Sequence, residues 1–168
     1  MCIRDRSETV ESTETRSKSK AEEFYSSSGK LIEKQFHDLG TVKGLEVQML
    51  QVIDLGERTE VRALRFEMTY STQYTSQSKI AVIDKDEVAG LIQALKLIQE
   101  KVIPTTRNTY TEVSFTSRSG FLVGSFFDVK KLQWRAYVRV DQYSSNSTVY
   151  MSTEELAQLL ALVEQAHL

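Results

Sequence analysis

The stretch AVIDKDEVAGLIQALKL (81–97) returns, in changed letters, as VYMSTEELAQLLALVEQ (149–165). Laid over each other without gaps, Asp84 falls on Ser152, Glu87 on Glu155, Val88 on Leu156, Leu91 on Leu159 and Ile92 on Leu160. Each copy carries the marks of a strand feeding a helix. Asp84 and Ser152 offer the short side-chain oxygen that accepts from an orphan amide at a helix start. Glu87 and Glu155 are placed to close a capping box, while Ile83 with Val88 and Met151 with Leu156 are spaced as hydrophobic staples. Helices are predicted over 84–102 and 152–165, the second continuing to the chain end. Val88, Leu91, Ile92, Leu95, Ile98 and Val102 form a one-face stripe, and Leu156, Leu159, Leu160 and Val163 repeat it. Both stripes read as core packing. Pro104 stops the first helix, because proline disfavours helical geometry in the residue before it.

Upstream of each helix the apolar period changes from 3.6 to 2, the signature of half-buried strands. In EVRALRFEMTY (60–70), Leu64, Phe66, Met68 and Tyr70 face one way and Arg65, Glu67 and Thr69 the other. In QWRAYVRVDQY (133–143), Trp134, Ala136, Val138 and Val140 face inward, with Arg135, Tyr137, Arg139 and Asp141 outward. Both segments contain Arg-Ala (62–63 and 135–136), but their buried parities differ by one, which predicts a bulge in one copy. LEVQMLQVID (45–54), YTEVSFTS (110–117), FLVGSFFD (121–128), SKIAVI and STVYM read as further strands. KLIEKQFHDL fits either a strand or a helical face through Ile32, Phe36 and Leu39. A sheet with one apolar face needs a cover, and one helix supplies it.

The fold class expected is therefore α+β: a tandem pseudo-repeat, each copy an antiparallel sheet of three to four strands followed by one covering helix. Residues 29–104 form the first repeat and 105–168 the second, packing as one domain. One continuous sheet and two separate sheets both satisfy the pattern.

The 168 residues are 40% hydrophobic and 26% charged, with formal net charge -2. That is enough chain for one domain with a full core or for two small fused units, and the balance argues against a partner held mainly through phosphates. No apolar run reaches the length needed to span a bilayer. Residues 7–23 are mostly Ser, Thr, Glu and basic side chains with one valine, so residues 1–28 are expected to form a disordered tail. MCIRDR resembles translated sequencing-adapter DNA, so residues 1–6 are expected to be foreign, with the natural start lost. With Cys2 the single cysteine, an internal disulfide is excluded. The polar strand faces and cysteine-free body favour export over a cytoplasmic home.

No constellation of enzyme chemistry stands out, and neither cofactor nor metal is expected. The two histidines, His37 in an uncertain strand and His167 near a helix C-terminus, read as solvated surface positions rather than catalytic bases. The glycines are dispersed, without a phosphate-cradling motif, and Gly90 within a helix reads as close packing on a strand. Asn146-Ser147-Thr148 matches a glycosylation acceptor. What remains is the outward face of the strands, where Arg65, Arg135, Tyr137 and Arg139 are the candidate ligand residues. Arginine interleaved with an aromatic can neutralise phosphates and stack bases. Residues 105–151 carry six basic side chains against three acidic ones.

Strands then helix, written twice over about residues 30–166, is similar in layout to the Whirly and purine-rich-element-binding families of single-stranded nucleic-acid binders. The resemblance is one of element order. Neither family's sequence signature is present, and no residue is carried over. The reading expected first is a non-enzymatic binding or structural module with a protein partner or self-association. A single-stranded nucleic-acid binder using the Arg/Tyr face is the alternative.

Overall fold

A computed structural model describes residues 17–168; the expectations for residues 1–16 lie outside the described residues. The elements are α1 (Lys20–Ser26), β1 (Ile32–Val42), β2 (Leu45–Asp54), β3 (Thr59–Ser71), β4 (Ser76–Asp84), α2 (Lys85–Leu97), β5 (Glu112–Thr116), β6 (Leu122–Asp128), β7 (Gln133–Arg139), β8 (Thr148–Met151) and α3 (Thr153–Glu164). β1 to β4 pair antiparallel in chain order, and β5 to β8 form a second four-stranded sheet in the same order. The duplication is present as two sheets, each followed by its helix.

The ambiguous segment around Ile32–Leu39 is strand, paired along its length with β2. Lys43 and Gly44 both take positive φ (48° and 82°), the conformation of a tight hairpin turn that returns β1 onto β2. α2 passes through a π-helical turn, Ile98–Val102, before Pro104. α3 ends at Glu164 rather than at the chain end; Val163 is the last fully buried residue of its stripe, and beyond it Ala166 and Leu168 pack partly buried against the core without continuing the helix.

The bulge expected in β3 or β7 is absent. Leu64 pairs with Ile83 and Ala136 with Met151. The counterpart of Ala136 is therefore Leu64, and the two Arg-Ala pairs lie one place out of register. A register shift occurs instead in β1, between Asp38 and Gly40.

The inner faces of both sheets and both long helices share one core, joined by Phe66 stacked on Phe121 at 4.3 Å between ring centres. The helices cross between copies. Gly90 of α2 lies against Phe115 of β5, where a Cβ would stand 3.3 Å from the ring, and Gly40 of β1 lies under Leu162 of α3. Each helix thus covers part of the other copy's sheet.

The expected tail is corrected at its C-terminal end, where α1 lies on the outer face of the first sheet. Ala21 is 2% exposed and, with Phe24 and Tyr25, packs on Leu50, Val52, Ala63 and Val82. Composition misses this because three residues, Ala21, Phe24 and Tyr25, supply the apolar cover within a mostly polar segment. Ser19 and Glu22 close a capping box at the helix start. The box predicted for α2 is not made, since the Asp84 side chain forms no bond to its own helix. Its carboxylate accepts instead from the backbone N–H of Lys20 (2.8 Å) and of Ala21 (2.9 Å). The equivalent box on α3 is complete: Ser152 Oγ accepts from the Glu155 amide, and Glu155 returns the bond.

Candidate functional site

The strand period places Phe127, Trp134, Ala136 and Val138 inward on the second sheet, which turns their neighbours outward. Register then decides which outward side chains meet. Phe126 pairs with Arg135 and Gly124 with Tyr137 across β6 and β7, and Tyr137 pairs with Tyr150 across β7 and β8. Phe126, Tyr137 and Tyr150 form a triangle with ring centres 6.3–6.5 Å apart. Tyr110, just ahead of β5, adds a fourth ring 6.1 Å from Phe126.

Two guanidinium groups stand over this cluster. Arg135 lies 4.4 Å from the centre of the Tyr150 ring and 5.9 Å from that of Phe126. Arg139 lies 5.9 Å from the Tyr137 ring centre and donates through Nε to Thr148 Oγ1 at 2.8 Å. Such placements gain from the electron-rich ring face. Tyr110 OH donates to a Glu112 carboxylate oxygen, and that bond holds the phenol above its ordinary pKa. Burial, followed by the Glu112 charge, also raises Tyr137. Both tyrosines stay neutral, and their hydroxyls remain donors at physiological pH.

Gly124 makes the floor. A Cβ there would stand 2.6 Å from the Val113 carbonyl oxygen and 2.9 Å from Tyr137 OH. Only glycine lets the Tyr137 ring lie down across β6. The result is a recess of about 280 Å³ bounded by the rings, Glu112, Arg139 and Thr148.

Of the four residues singled out in sequence, Arg135, Tyr137 and Arg139 come together here. Arg65 does not. It sits on the outer face of the first sheet, donating to Gln48 and Glu67 at 2.8 Å each and lying over Phe36. Phe126, Tyr150, Tyr110 and Gly124 were missed. The adjacent pair Phe126-Phe127 held a signal for the first, since neighbouring strand residues must take opposite faces. Gly124, dispersed among the other glycines in sequence, lies within β6, away from the turns.

No family model, curated protein or solved structure matches the chain.

Elsewhere, Asp84, Asp86 and Glu87 bring carboxylate oxygens within 4.8 Å of one another, close enough to suit a cation. That position is filled by the protein's own groups. Arg118, from the β5–β6 turn, pairs with all three carboxylates, and Lys20 pairs with Asp86 at 3.2 Å. The Arg118 hydrogen bond, then that of Lys20, holds the Asp86 carboxyl down at about 2. This is an internal clamp. His37 lies exposed on β1 and His167 exposed beyond α3, far apart in the chain and without a shared pocket among the described residues.

Proposed function

We propose that the protein is a non-enzymatic binding module that holds single-stranded nucleic acid on the outer face of its second sheet. The observation that carries this reading is the convergence of four aromatic rings and two guanidinium groups on one exposed sheet surface. Rings offer stacking surface to any base, and arginines neutralise phosphates; together they make a sequence-tolerant platform.

The two copies differ at this face, and the difference leaves the second one open to a ligand. At the places where the second sheet sets Phe126, Arg135 and Tyr150, the first sets Leu50, Ala63 and Val82. The first set is aliphatic and takes a helix. The second is aromatic and basic, and no element covers it among the described residues.

The test is fluorescence anisotropy of a labelled unstructured single strand against the protein over a salt series. Two arginine contacts predict a log–log slope of about -1.4 for a single strand. Tyr137→Ala is expected to weaken binding by about 1–3 kcal/mol, about fivefold to a hundredfold or more. Salt-insensitive binding, or a Tyr137→Ala variant that binds as well as the parent, would overturn the reading.

A further inference from the structure

We infer that the recess beside Tyr137 discriminates among the bases it receives, with Glu112 selecting those that carry an exocyclic amine over thymine and uracil. This rests on the nucleic-acid reading above and adds a specificity-determining residue to it. Strand register brings Glu112 onto the face. It pairs with Phe126 across β5 and β6, and Phe126 pairs in turn with Arg135. A carboxylate on a surface that receives phosphates opposes them by charge. Glu112 lines the recess together with Arg139, yet it forms no ion pair among the described residues. Its one partner there is the Tyr110 hydroxyl, which donates to Oε1. Oε2 is left as a charged acceptor.

Donors stand beside it in the same recess. The Tyr137 hydroxyl, over the Gly124 floor, has no hydrogen-bond partner among the described residues. Arg139 commits Nε to Thr148 Oγ1 and keeps its terminal N–H groups for a ligand. Burial and then the Glu112 charge raise the Tyr137 phenol, while the Arg139 charge lowers it, so both charges act at that hydroxyl. The recess of about 280 Å³ therefore offers a base edge one charged acceptor with donors near it. Cytosine, adenine and guanine present the complement, an amine N–H with an acceptor on the same edge. Thymine and uracil present carbonyl oxygens instead, and these meet an ionised carboxylate as acceptor against acceptor. The rings stack any base. Glu112 tells them apart.

The experiment is calorimetric titration of the full chain at neutral pH with octadeoxycytidylate and with octathymidylate, two pyrimidine strands of equal length and charge. The first is expected to bind about tenfold more tightly. Glu112→Gln removes the charged acceptor and offers a donor to thymine carbonyls. It should bring the ratio to about twofold or less, with the thymidylate bound no more weakly than by the parent. Tyr110→Phe removes the protein's own donor to Glu112 but keeps the carboxylate, and should leave the ratio within about twofold of the parent's. Equal affinities in the parent chain, a ratio that survives Glu112→Gln, or one that Tyr110→Phe abolishes would overturn the role of Glu112 while leaving nucleic-acid binding in place. If neither strand binds, the nucleic-acid reading falls and this inference falls with it.

Discussion

The Asp84 carboxylate accepts the backbone N–H of Ala21, 63 residues earlier in the chain, at 2.9 Å. Asp84 stands at the start of α2, yet it caps α1. The same side chain receives Arg118 from the second copy. One buried carboxylate, 5% exposed, therefore joins the N-terminal helix, the first sheet and the second repeat. Ser119, the next residue after Arg118, adds a hydrogen bond to the Val82 carbonyl at 2.8 Å.

Asp84→Ala should cost far more than the loss of a helix cap. It removes two backbone hydrogen bonds and leaves Arg118 with weaker partners, so a loss of about 2–3 kcal/mol in urea unfolding is expected. Ser152→Ala, at the equivalent place, removes a local capping box and should cost about 1 kcal/mol. Equal losses would show that Asp84 serves only its own helix.

Removing residues 1–27 should destabilise the protein, although the segment is mostly polar. Its loss uncovers Leu50, Val52, Ala63 and Val82, and about 2–4 kcal/mol is expected from the apolar surface returned to water. The measurement is the urea midpoint of the shortened chain against that of the full chain. A midpoint unchanged within error would mean that α1 is not held on the sheet in solution.

Gly124→Ala places a methyl group against the Val113 carbonyl and the Tyr137 ring. Overpacking of this kind costs about 1–3 kcal/mol, and Tyr137 must leave its place over β6. Thermal unfolding reads the first effect. Oligonucleotide affinity reads the second, and it should fall even where the variant remains folded.

Acid should loosen the clamp between the copies. Asp86 has its carboxyl lowered from 3.8 to about 2, first by the Arg118 hydrogen bond and then by that of Lys20. A folded pKa below the unfolded one adds stability above the unfolded value, and that stability is lost as pH falls through the folded value. Stability should therefore drop between about pH 4 and pH 2. Asp86→Asn should flatten that part of the profile. An unaltered profile would show that the ion pair contributes nothing in solution.

Sequence alone determined what local chemistry controls. The doubled junction predicted two strand-to-helix units, and the period of two assigned Leu64 and Phe66 inward and Arg135, Tyr137 and Arg139 outward. Those features depend on a residue and its neighbours within a turn or a few strand positions. Tertiary structure decided the rest. The capping box of Asp84 and Glu87 was a sound local reading, and it lost because the Lys20 and Ala21 amides and the Arg118 guanidinium, distant in sequence, offered the carboxylates more bonds. Which rings join Tyr137 is set by the pairing of β6, β7 and β8, and whether Arg65 joins them by which sheet β3 enters. Pairing register and sheet membership come from hydrogen bonds between segments tens of residues apart, and neither composition nor period records them.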